Sequence, residues 1–194
     1  MKNLCLLTAL ATLLLTGCGK KDDPQSQSSA TPYVRLNTQF NGNQGLTWLR
    51  GYDAPDCSAT VTLNTDPVNP DTYAFIFLAA PSGGDRSEIK ITMERTKLKP
   101  GAVGTYVLGT DFYVDLKYRP ASKSCNNSAF FFDSRARMKT LNISAYDSNS
   151  KRITGTFEAS TGNIYNPEDC PITNVSQRGD VQVTGEFKSI QVPF

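Results

Sequence analysis

Leu141-Asn142-Ile143-Ser144-Ala145-Tyr146-Asp147-Ser148-Asn149-Ser150-Lys151-Arg152-Ile153-Thr154-Gly155-Thr156-Phe157-Glu158-Ala159 is the stretch that decides the fold class. Leu141, Ile143 and Ala145 alternate with Asn142 and Ser144, and Ile153, Gly155 and Phe157 later alternate with Thr154, Thr156 and Glu158. An extended chain turns successive side chains to opposite faces, so each half reads as a strand with one dry and one wet side. Residues 147–150 between them are Asp, Ser, Asn and Ser, whose side chains bond local backbone and favour a turn. The whole predicts an antiparallel hairpin.

Working outward, the same period of two recurs. Ala59, Val61 and Leu63 oppose Thr60, Thr62 and Asn64, while Ile89, Ile91 and Met93 oppose Lys90, Thr92 and Glu94. Residues 73–78 are apolar on both faces, as in a central strand, and Lys99-Pro100-Gly101 separates one strand from the next at 103–108. Val181, Val183 and Phe187 hold one parity and Ile190 and Val192 the other, which predicts a bulge near Lys188 and Ser189. No long stretch carries helical periodicity. About ten short antiparallel strands in one domain imply an all-β two-layer sandwich or a flattened barrel, because a single open sheet would leave an apolar face wet.

The N-terminal end is different. Lys2 precedes an uncharged apolar run over residues 4–15 that is too short to cross a hydrocarbon core, which needs about 20 residues. It reads as a removable signal peptide over residues 1–17. Leu15-Thr16-Gly17-Cys18 resembles the lipobox of bacterial lipoproteins, which implies diacylation of Cys18 and a permanent membrane tether. The following Lys21-Asp22-Asp23 resembles the signal that sends Bacteroidota lipoproteins to the outer membrane and cell surface; a charged spacer facing the periplasm is the alternative. Residues 18–32 have little to bury and read as a flexible tether, with a single domain over 33–194.

Composition narrows the chemistry. With 20 basic and 18 acidic residues and no block of one sign, nothing marks a nucleic-acid surface. Histidine is absent, which removes imidazole acid/base catalysis, His-activated nucleophiles and imidazole-bound zinc. Of 5 cysteines, Cys5 leaves with the signal and Cys18 is acylated, leaving Cys57, Cys125 and Cys170, an odd number. One disulfide and one free thiol are expected. Their loop positions favour Cys125 with Cys170, although sequence leaves three pairings open.

The C-terminal half resembles a family of small Bacteroidota lipoproteins, largely of unknown function, with β-sandwich domains. The resemblance rests on residues 141–146, the turn at 147–150, Gly155-Thr156-Phe157-Glu158-Ala159 and the closing Thr184-Gly185-Glu186-Phe187, with Gly104-Thr105-Tyr106-Val107-Leu108 and Trp48 upstream. It implies a fold and an address, with no catalytic residues. The long insertion at 164–180 departs from the pattern.

The candidate sites follow. Asp111 with Asp115, or Glu158 with Glu168 and Asp169, are the acids available to a carboxylate-dependent hydrolase such as a glycosidase; outward-facing or loop carboxylates are the alternative. Residues 66–71 and 147–149 carry oxygen ligands at close spacing, which turn chemistry also explains. Trp48, Tyr52 and Phe131 are candidate ligand contacts, with Tyr113, Tyr118 and Tyr165 as further aromatic surface, and burial favours a sandwich-core place for Trp48. No cofactor or metal is expected. The expectation is a membrane-anchored, surface-exposed envelope lipoprotein that binds a protein or glycan, or acts as a structural module, without catalysis.

Overall fold

The computed structural model describes residues 31–65, 67–119, 128–132, 139–166, 168–169 and 176–194. Cys18, Lys21, Asp22, Asp23, Cys125 and Cys170 lie outside these residues, as does Asp66. Eleven strands are present among them: β1 (Tyr33–Gly42), β2 (Thr47–Tyr52), β3 (Cys57–Asn64), β4 (Thr72–Ala79), β5 (Arg86–Glu94), β6 (Gly104–Val107), β7 (Phe112–Arg119), β8 (Ser128–Phe132), β9 (Lys139–Asp147), β10 (Arg152–Tyr165) and β11 (Arg178–Gln191). The one helical element is a short 3-10 turn, Arg95–Lys97. The strands form two antiparallel sheets, ordered β2-β1-β11-β10-β9-β6 and β3-β4-β5-β7-β8, packed as a sandwich.

Alternation places the core as the sequence implies. Val34, Leu36 and Phe40 of β1, Ile89, Ile91 and Met93 of β5, and Val181, Val183 and Phe187 of β11 are all buried. The hairpin read at 147–150 joins β9 to β10. Asp147 Oδ1 accepts the N–H groups of Asn149 at 2.9 Å and Ser150 at 3.3 Å, which closes the turn. Those bonds, with the Ser150 hydroxyl foremost, hold the Asp147 carboxyl below its ordinary pKa.

Two strand motifs explain each other. Gly155 pairs with Phe187 and Phe157 with Gly185 across β10 and β11, so each phenylalanine ring lies over the partner's glycine. A Cβ on Gly185 would fall 2.1 Å from Phe157 Cε1, which leaves glycine as the residue that fits. Phe77 of β4 reaches across from the other sheet, with ring centroids 4.6 Å from Phe157 and 5.4 Å from Phe187. Next to this cluster both neighbours of β10 bulge. The register jumps by one residue at Ser144 in β9 and at Lys188 and Ser189 in β11, where Ser189 has φ of 57°. Thr154 joins the two bulges, its hydroxyl accepting Ser189 N–H at 3.3 Å and its carbonyl accepting the Ser144 hydroxyl at 3.2 Å.

Candidate functional site: a furrow across the six-stranded sheet

The register of β1, β11, β10 and β9 lines outward-facing residues into rows that cross the strands. One row reads Asn37, Thr184, Glu158 and Thr140, with Gly51 of β2 opposite Asn37 at its end. The row beside it reads Arg35, Glu186, Thr156 and Asn142, and the row on the other side begins Gln39, Gln182 and Ser160. Mostly short side chains lie between longer ones, so a shallow furrow runs perpendicular to the strands. A cavity of about 320 Å³ is lined by Arg35, Asn37, Thr140, Thr156, Glu158, Thr184 and Glu186, with backbone from Phe157 and Gly185. A second of about 240 Å³ adjoins it through Glu158 and is lined by Asn41, Ser160, Gly162, Asp180 and Gln182 among others.

The charged groups of the first cavity each hold a partner, a neutral amide in the case of Glu158. Arg35 Nε pairs with Asp53 at 2.7 Å, Glu186 with Lys188 at 2.8 Å, and Glu158 accepts the Gln182 amide at 2.8 Å. Asn37, Thr140, Thr156 and Thr184 hold no side-chain hydrogen bond among the described residues. Amides and hydroxyls both donate and accept, so this floor offers paired donors and acceptors to an uncharged polar ligand. Glu158 and Glu186 both line the first cavity, Glu186 paired with Lys188 and Glu158 with the Gln182 amide.

Of the acids read from the sequence Glu158 lines the furrow, and the others serve elsewhere. Asp111 accepts Val107 N–H at 2.8 Å, and Asp115 lies on the outer side of the five-stranded sheet opposite Lys90. Glu168 and Asp169 begin the long β10–β11 connection and anchor it. Arg50 bonds Glu168 through Nη2 and Asp85 through Nε at 3.0 Å, its guanidinium lying 5.5 Å from the Trp48 ring centre. Trp48 Nε1 donates to Asn166 Oδ1 at 2.9 Å, and Asn166 donates to Asp169 at 3.0 Å.

Trp48, Tyr52, Tyr118 and Tyr165 are built into structure. Trp48 and Tyr52 are each 9% exposed, on the inner side of β2, and Trp48 stacks between Phe40 and Tyr118 at 5.8 and 5.6 Å. Burial pushes the Tyr52 and Tyr118 hydroxyls upward in pKa, and Tyr118 donates to Glu168 Oε1 at 3.4 Å. Tyr165 is covered by the Arg178 guanidinium, 3.9 Å from its ring centre. Tyr113, 64% exposed, stands on the outer side of β7, and Phe131 is paired in register with Asp115. Sequence reasoning passed over Arg50 and Asn166. Arg50 had a signal, since it shares the inward parity of Trp48 and Tyr52; Asn166 had none.

Asp147 is spent on its own turn, Asp71 accepts Arg95 Nη1 at 3.5 Å, and among the described residues no three His, Cys, Asp or Glu side chains cluster. Cys57 is a free thiol on β3, pushed up to about 11 by burial against the opposing pull of the Leu36 backbone, which makes it a poor nucleophile. No family model, curated protein or solved structure matches the chain.

Proposed function

We propose that the chain is a surface-exposed, lipid-anchored envelope module, akin to the small Bacteroidota lipoproteins, that binds an uncharged glycan along the furrow of its six-stranded sheet without transforming it. Its anchor is Cys18 and its export signal is Lys21-Asp22-Asp23. The furrow is the observation that carries this reading. A sugar presents neighbouring hydroxyls that each donate and accept, which suits Asn37, Thr140, Thr156 and Thr184, and the Glu158 carboxylate would accept from such a hydroxyl and repel an anion. An exposed surface floor of this kind gives modest affinity, which a membrane-held protein gains back through many copies on one surface.

Two measurements test it. Palmitate labelling of the chain, lost in Cys18→Ala, with protease sensitivity on intact cells lost in Lys21→Ala/Asp22→Ala/Asp23→Ala, supports the address; absence of label overturns it. Calorimetric titration of neutral oligosaccharides into the chain and its Thr184→Arg variant tests the ligand. Binding by the parent and its loss when the long side chain fills the furrow are expected. Equal binding by both would remove the furrow from the function.

A further inference from the structure

We infer that β3 is a strand-pairing edge whose partner is β3 of a second copy of this chain, joined antiparallel about a two-fold axis. β3 lies at the end of the five-stranded sheet, paired on one side with β4 and on the other with no strand among the described residues. Outside that ladder, no hydrogen bond among the described residues reaches residues 58–64. An unpaired edge is a ready template for another strand, and folded proteins usually blunt it with charge, proline, a bulge, short length or cover. β3 lacks the first four of these, running eight residues from Cys57 to Asn64 with no charge, no proline and no register shift against β4, and among the described residues no strand pairs with its outer edge.

The contrast lies within the same molecule. β6, at an edge of the other sheet, is four residues long, and its outer backbone groups are covered by side chains. Lys99 Nζ donates to Thr105 O at 2.5 Å, and the Asp111 carboxylate accepts Val107 N–H at 2.8 Å. That is how this fold closes an edge, and β3 is left without it.

Self-pairing also satisfies symmetry. A two-fold axis perpendicular to the sheet keeps outer residues outer, so opposed residues share parity and the axis falls on a residue, not between two. Centred on Val61, Thr60 opposes Thr62 and Ala59 opposes Leu63; centred on Thr60, Thr60 meets itself and Ala59 opposes Val61. Either register sets hydroxyls against hydroxyls on the wet face and apolar groups together on the dry one, with no like charges opposed. The axis would turn both six-stranded faces the same way, giving two furrows on one side. That last point rests on the binding role proposed above; the pairing itself does not.

Cross-linking in membranes of cells carrying the full chain tests it. Single variants Val61→Cys, Thr60→Cys and Thr92→Cys are oxidised and run without reductant. Thr92 lies on the outer side of β5 in the same sheet and controls for chance collision. A reducible band at twice the monomer mass from Val61→Cys or Thr60→Cys, absent from Thr92→Cys, is expected, and which variant links identifies the register. Linking by neither overturns the inference, as does equal linking by all. Sedimentation of the detergent-extracted chain gives the independent readout: dimer for the parent and monomer for Thr60→Lys/Thr62→Lys, with unchanged circular dichroism. Dimers in both would place the joint elsewhere, and monomers in both would remove it.

Discussion

Gly185 and Phe157 show how much one missing Cβ decides. The Phe157 ring occupies the space that any side chain at 185 would need. Gly185→Ala should therefore cost about 1–3 kcal/mol, the usual penalty of overpacking, read as a lower urea midpoint with an unchanged slope. The glycine and phenylalanine of each motif were legible as strand residues. Their reciprocal packing was not, because Gly155 meets Phe187 through a pairing that no local pattern announces. Arg50 teaches the complementary lesson. Its inward parity was visible, but a charge on a dry face identifies no partner, and Asp85 and Glu168 come from distant connections.

At the scale of elements, β2 and the start of the β10–β11 connection hold each other through Trp48–Asn166 and Arg50–Glu168. Arg50→Ala should loosen both, with faster amide exchange at residues 47–52, 166, 168 and 169 and a loss of about 1 kcal/mol, since the pair is part-exposed and water screens it. Unchanged exchange would show that packing around Trp48 suffices. Strand existence was legible from the period of two, and the β11 bulge from the switch of apolar parity between Phe187 and Ile190. Strand order was not. β1 pairs with β11 and β6 with β9, contacts between segments far apart in the chain whose hydrophobic patterns are interchangeable. Trp48 was legible both as core and as ligand platform and Tyr52 as platform alone, and depth between two sheets is a property no single strand reveals.

For the whole molecule, Phe77 is the rivet between the layers, touching both Phe157 and Phe187 from the opposite sheet. Phe77→Ala should cost about 3–5 kcal/mol and lower the thermal midpoint of both sheets together in a single transition, because the core is shared. Separate melting of the two layers would contradict that. The furrow lay beyond the reach of sequence, since it arises only when short residues on β1, β11, β10 and β9 fall into one row. The quartet Gly155, Phe157, Gly185 and Phe187 carries a consequence for descent. Gly185 leaves room that the Phe157 ring alone fills, while Gly155 is held also by the Asn142 carbonyl, so 157 and 185 do not drift as independent letters. A larger residue at 185 survives where 157 has shrunk, and the trace left in a lineage is correlated change between sites some thirty residues apart.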